Sequence, residues 1–453
     1  MADTVIDLGE VGRTASGTPP ADAYRPRPGR RLARPWSAVL LVVAVLATVT
    51  AAAPLPPHPE PVHLDAGDSA RTLIDGDLLF VIDQPEYGRR VGGGGQATTV
   101  AVYRLPGGDP RWRFPVPVEI ESRRGLPPAG ITVVGDMLLI GFYDLEGART
   151  TAFGIGDGAV RWQADGAVLG VTTDGAVALW NPLIEADPEL SGSLLVGATV
   201  HVVEAGSGRA RWSMTSAGHS ELAHRFEDDR LVQLVEIEPG NRVRIRDAAT
   251  GLVRTAGTLA PEHQIESGHA WVVAGLLVTM TDGILSAFEL AGLTPRWSVP
   301  APPVGEMTVC ASLICVNHSD GGGRALDPVD GSTRWADDGW HVSQTFGRFQ
   351  LVVPRHRDGT LKNMRLVADP ATGELVAPGT ERWSAFAVDG DGWLAQWYDP
   401  GAAEAWVARI AADGSTPRVL LHLPEGVAAC QAGPTAVVCR RADGGLGIWE
   451  LPD

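Results

Sequence analysis

Apolar residues along this chain fall in short runs separated by polar, glycine-bearing turns, and the runs come in pairs. LLFVID at 78–83 is followed by TTVAVYRL at 98–105, MLLIGFY at 137–143 by RTTAFGI at 149–155, LVQLVEI at 231–237 by RVRIRD at 242–247, and LLVTMTD at 276–282 by ILSAFEL at 284–290. Runs this short, rich in β-branched and aromatic residues and bounded by glycine, predict β-strands. Many are apolar on successive positions rather than alternate ones, the pattern of strands whose two faces are both covered by neighbouring sheets.

The turns repeat. A glycine turn followed by Arg-Trp ends at Trp112 (GGDPRW), Trp162 (GDGAVRW), Trp212 (GSGRARW), Trp297 (LAGLTPRW) and Trp335 (VDGSTRW). Degenerate copies end at Thr255 (AATGLVRT), Ala377 (PATGELVA) and Val419 (AADGSTPRV), so eight turns recur 38 to 50 residues apart. Glycine accepts backbone angles closed to other residues, and each tryptophan would bring a large apolar surface between neighbouring sheets. The period predicts an all-β fold, a β-propeller of four-stranded blades over 68–453, eight-bladed with seven or nine as alternatives. After the eighth turn a further unit, GVAACQAGPTAVVCRRADGGLGIWEL, is expected to complete a blade with residues near His63-Leu64-Asp65, because closure removes an exposed edge.

One run breaks this rhythm. WSAVLLVVAVLATVTAAA, residues 36–53, is uncharged, and 18 helical residues reach ~27 Å against a hydrocarbon core of ~30 Å. Five arginines between Arg25 and Arg34 precede it, and prolines with Glu60 and Asp65 follow. The positive-inside rule then predicts residues 1–35 as a flexible cytoplasmic tail, 36–53 as one transmembrane helix, and the body outside the cytoplasm at the cell membrane. PLPPHPEP at 54–61 lies in an expected spacer, 54–67, that includes the possible ring-closing strand. The rival is a cleaved signal peptide ending at Ala51-Ala52-Ala53, which would export the same body.

Charge narrows the partners. The net charge is −17, and the part beyond residue 53 has 31 basic and 50 acidic residues, a balance of −19. Phosphate backbones would be repelled, so nucleic acid is excluded as principal partner, and basic or cation-rich surfaces are favoured.

The turns resemble the PQQ-like, quinoprotein-type β-propeller repeat, whose blades end in Asp-x-x-x-Gly-x-x-x-Trp. Asp327-Pro-Val-Asp-Gly331-Ser-Thr-Arg-Trp335 matches it, with Ala205-Gly-Ser-Gly208-Arg-Ala-Arg-Trp212 and Asp247-Ala-Ala-Thr-Gly251 close to it. That family includes dehydrogenases using pyrroloquinoline quinone and non-catalytic members such as an outer-membrane assembly scaffold. The cofactor-binding members have a vicinal cysteine disulfide, an aromatic floor and carboxylate and amide ligands for calcium; this chain has no Cys-Cys pair.

Its four cysteines form two near pairs, Cys310 with Cys315 and Cys430 with Cys439, each in the first hairpin of an expected blade. Two local disulfides fit an exported domain, with a four-thiolate zinc site as the rival. Asp389-Gly-Asp391-Gly392 lacks the downstream glutamate of a calcium loop and reads as a polar turn, and Gly92 to Gly95 lack the Lys-Ser/Thr of a phosphate cradle and read as a hairpin loop. The eleven histidines show no His-x-x-x-His spacing, and no Gly-x-Ser-x-Gly elbow is present. These observations predict a membrane-tethered extracytoplasmic propeller serving as a non-catalytic binding or assembly platform, with no catalytic, metal or cofactor residues assigned and a protein or envelope partner. The alternatives are a PQQ-dependent or other propeller enzyme and an external sensor.

Overall fold

Because strand pairs and turns alternate from residue 62 onward, the chain builds antiparallel meanders one after another. A computed structural model describes residues 60–452 apart from internal segments, the longest being 84–97, 117–127 and 261–269. Residues 1–59, with the expected tail, transmembrane helix and the first part of the spacer, 54–59, lie outside the described residues, as do Gly92 to Gly95. Among the described residues no helix is long and apolar enough to cross a membrane.

The meanders occupy 71–115, 128–165, 167–217, 221–258, 270–300, 304–337, 340–368, 384–423 and 427–450. They form eight hydrogen-bonded sheets, because the third and fourth are fused. The fusion is a short parallel pairing in which Val171 faces Arg230 and Thr172 faces Leu231. Among the described residues there are thus eight sheets and nine successive meanders, where the sequence predicted eight blades with seven or nine as alternatives. The seventh meander has three strands, and the place of its fourth is held by an isolated bridge between Ala368 and Leu375.

Each meander touches the next, and the ninth touches the first, so the series closes on itself. Closure uses both ends of the chain. Val62–Leu64 pairs antiparallel with Leu446–Glu450, His63 opposite Gly447, and so supplies the fourth strand of the ninth meander. Arg440 fastens this seam, donating to the carbonyls of Gly67 at 2.9 Å, Gly444 at 3.2 Å and Ala70.

The core lies between meanders rather than inside any one of them. Phe80, Ile82 and Trp112 of the first pack on Leu138 and Ile140 of the second, and Leu446 and Ile448 of the ninth pack on Leu79 and Val81 of the first. Leu79 to Ile82 are all buried, as successive apolar positions predict.

The repeated tryptophans join neighbours by one device. Each indole Nε1 donates to a carbonyl in the next turn: Trp112 to Ile155 at 2.7 Å, Trp162 to Ala205 at 2.6 Å, Trp212 to Ala249 at 3.2 Å, Trp297 to Pro328 at 3.0 Å and Trp335 to Pro370 at 2.9 Å. A tryptophan buries roughly 150–250 Å², worth up to about 4–6 kcal/mol at ~25 cal/mol per Å². The glycine of the next turn lies under the ring. Gly208 has φ +68°, and a methyl group there would sit 2.6 Å from Cγ of Trp162, so both its angle and the ring above demand glycine.

Two departures obey the same geometry. At the fourth meander Thr255 replaces the tryptophan, its Oγ1 donating to Ala291 at 3.3 Å, and in the turn it meets Leu293 holds the glycine's left-handed angle at φ 55°. At the ring's seam Val62 replaces the tryptophan: a methyl group on Gly108 would lie 2.5 Å from its Cγ1.

Candidate functional site

Turns between the first and second strands of a meander all leave at the same end, so the ring gathers them on one face. Two cavities show this convergence. One, of about 330 Å³, is lined by Gly76, Gly390, Arg409, Gly433 and Leu451, bringing the first, eighth and ninth meanders together. Another, of about 310 Å³, is lined by Gly135, Asp136, Gly175, Gly206 and Arg230 from the second, third and fourth.

This hairpin face is acidic. Asp75, Asp77, Asp136, Asp174, Asp228, Asp229 and Asp391 stand on or beside these turns and are exposed. Aspartate suits such positions because its carboxylate bonds nearby backbone and tolerates left-handed angles, which Asp228 and Asp229 adopt at φ 47° and 59°. Arg211 pairs with Asp174, whose carboxyl also accepts from Thr172 Oγ1 at 2.5 Å; burial opposes these bonds, and the net effect holds the group below the ordinary carboxylate range. Arg409 pairs with Asp389 in the wall of the first cavity. Asp389 ends one strand and Gly392 begins the next, so Asp389-Gly-Asp391-Gly392 is the polar turn expected.

Among the described residues no three His, Cys, Asp or Glu side chains converge on a metal position. The four cysteines do not converge either. The Cys310 and Cys315 sulfurs are 2.02 Å apart and those of Cys430 and Cys439 are 2.09 Å apart, each pair across the first hairpin of its meander. All four are buried, Cys310 and Cys315 packing with Trp335 and Val342 and the other two with Leu421 and Trp449. Neither pair is the vicinal disulfide on which pyrroloquinoline quinone sits in the cofactor-binding propellers, the partners being 5 and 9 residues apart. The docking tryptophans are edge-bonded and packed over glycine, which assigns them to the scaffold.

The acidic face was not visible as a site in the sequence beyond the net charge, because its carboxylates come from turns of separate repeats. An aspartate beside the first hairpin turn of the first, second, third, fourth and eighth meanders is the signal that could have found it.

Neither a protein-family model nor a curated protein sequence matches this chain. Among solved structures the chain is similar to the computationally designed Ika8 protein, with 15% identity and a TM-score of 0.44 over 71% of this chain and 96% of that one. It is also similar to BamB from Moraxella catarrhalis, with 15% identity and a TM-score of 0.39 over 87% and 97% of the two chains. A europium-containing methanol dehydrogenase is 13% identical, with a TM-score of 0.38 over 63% of this chain and 72% of its own.

Proposed function

We propose that this protein is a membrane-tethered, extracytoplasmic β-propeller of nine blades whose acidic hairpin face is a non-catalytic binding or assembly platform. The observation that carries the reading is the placement of seven exposed aspartates around one face of a closed ring. A surface with an excess of one sign steers oppositely charged partners and disfavours like-charged ones, so the partner presents a basic surface. The tether is the apolar run 36–53, whose arginine-rich flank favours a cytoplasmic N-terminus.

The test is capture of envelope proteins by the full-length chain in its own membrane, using cross-linking and mass spectrometry. The comparison is a variant carrying Asp75→Asn, Asp77→Asn, Asp136→Asn, Asp228→Asn, Asp229→Asn and Asp391→Asn. Loss of the captured partners in the variant, with an unchanged melting temperature, is expected. Equal capture by both proteins sinks the electrostatic platform, and digestion of the body only after the membrane is opened from the cytoplasmic side sinks the topology.

A further inference from the structure

One meander departs from the others where its second strand begins. That position is uncharged in every other meander, and Met137, Leu276, Leu313 and Phe349 are buried there. In the fourth it is Arg230, which is exposed. The parallel pairing that fuses the third and fourth meanders sets Arg230 opposite Val171. An arginine from the fourth meander is thereby added to the cavity of about 310 Å³ that the second and third form.

Two charged residues line this cavity, Asp136 and Arg230, and among the described residues neither side chain takes part in an ion pair or a hydrogen bond. Asp228 and Asp229, which precede Arg230, form no ion pair with it. The carboxylates next to the other lining residues are engaged elsewhere. Asp174 is held by Arg211 and Thr172, and Glu204 by Arg209 and by Ser207 at 2.9 Å. The turns that supply the lining, 133–137, 172–176, 204–208 and 228–231, all lie within the described residues. The rest of the wall is apolar, from Val133, Val134, Met137 and Ala205. Few polar groups in an apolar wall is the usual make-up of small-molecule sites, and the volume falls at the small end of their range, ~300 to 1,000 Å³.

We infer that this cavity binds a small apolar α-amino acid as its zwitterion, the carboxylate on Arg230, the ammonium on Asp136 and the side chain against the apolar wall. A guanidinium offers paired N–H donors that match the two oxygens of a carboxylate, and an ionised aspartate accepts from an ammonium. Apolar walls lower the local dielectric and strengthen both attractions. One acid and one base favour a zwitterion over a simple cation or anion, because either of those leaves one lining charge without a counterpart. The site shares the hairpin face with the platform but needs neither the tether nor a basic partner, so either reading can fail without the other.

The test is isothermal titration calorimetry of the full-length protein in detergent with L-leucine, L-valine and L-methionine in turn, at constant ionic strength. Saturable heat with at least one of them is expected. The deaminated and decarboxylated analogues of the tightest binder each lose one charged contact and are expected to bind at least about tenfold more weakly. Arg230→Gln keeps every carboxylate of the hairpin face, so it leaves the platform's charge in place, and it is expected to weaken the amino acid's affinity at least about tenfold. Asp136→Asn is the second variant, should the first fail to fold, with a similar weakening expected. No saturable heat from any of the three, an analogue that binds as tightly as its parent, or an affinity unchanged in a folded variant overturns the assignment.

Discussion

Replacing Gly208 by alanine isolates the contact that repeats around the ring. Gly208 has φ +68°, and the new methyl group would lie 2.6 Å from Cγ and 2.8 Å from Cβ of Trp162. A left-handed angle costs an L-residue roughly 1–2 kcal/mol, and overpacking a fitted contact adds roughly 1–3 kcal/mol. The loss of unfolded-chain freedom returns roughly 0.4–1 kcal/mol. Gly240 provides the control: its φ is +84°, but nothing lies within 4 Å of an added methyl group. The angle and unfolded-chain contributions cancel between the two variants, leaving the ring contact, about 1–3 kcal/mol, as the difference. Urea unfolding followed by circular dichroism gives the two midpoints, with the slopes checked because repeat arrays can unfold in parts. Hydrogen exchange at the Trp162 indole N–H, which donates to Ala205 at 2.6 Å, reports the same junction locally. Equal midpoints and equal indole protection in the two variants would refute the idea that ring and glycine are fitted to each other.

The same device predicts that Thr255→Trp and Leu293→Gly are coupled: the tryptophan alone destabilises against Leu293, and a double-mutant cycle in urea gives a favourable interaction of about 1 kcal/mol or more. Deleting Val62–Leu64 uncovers the edge of Leu446–Glu450, and is expected to lower the melting temperature and produce concentration-dependent association in analytical ultracentrifugation. Replacing Cys310 and Cys315 together by serine opens a loop closed over a sequence separation of 5, costing about 2 kcal/mol by chain entropy, which denaturant midpoints under oxidising conditions measure. Asp327 is held below its ordinary value near 3.8 by the Val329 backbone N–H and then by Arg334. Its depressed folded value means its stabilisation is complete above about pH 4 and fades as pH falls further, so the gap in melting temperature between wild type and Asp327→Asn should close on acidification. A constant gap from pH 6 to pH 3 would show that the carboxylate's charge contributes nothing.

The repeat was legible because its two hardest demands, a glycine with a left-handed angle and a large ring above it, leave letters in the sequence at a fixed distance. At one junction both demands are relaxed together: Thr255 takes the ring away and the chain then tolerates Leu293 in the turn, so a search for Gly and Trp loses both marks there. The number of meanders was harder to read for a geometric reason. A meander whose fourth strand comes from the other end of the chain has no turn between its third and fourth strands, so eight turns accompany nine meanders once Val62–Leu64 is paired with Leu446–Glu450. The seventh added to the difficulty, its fourth strand reduced to the bridge from Ala368 to Leu375. Sites on such a ring are harder still, since they assemble from residues that share a height in the fold rather than a neighbourhood in the chain. Arg440 donates to the carbonyl of Gly67 across 373 residues, and one cavity of the hairpin face takes Asp136 from the second meander and Arg230 from the fourth. Periodicity can therefore specify the scaffold while saying nothing of a site, because the scaffold depends on what is the same in every repeat and a site depends on what differs.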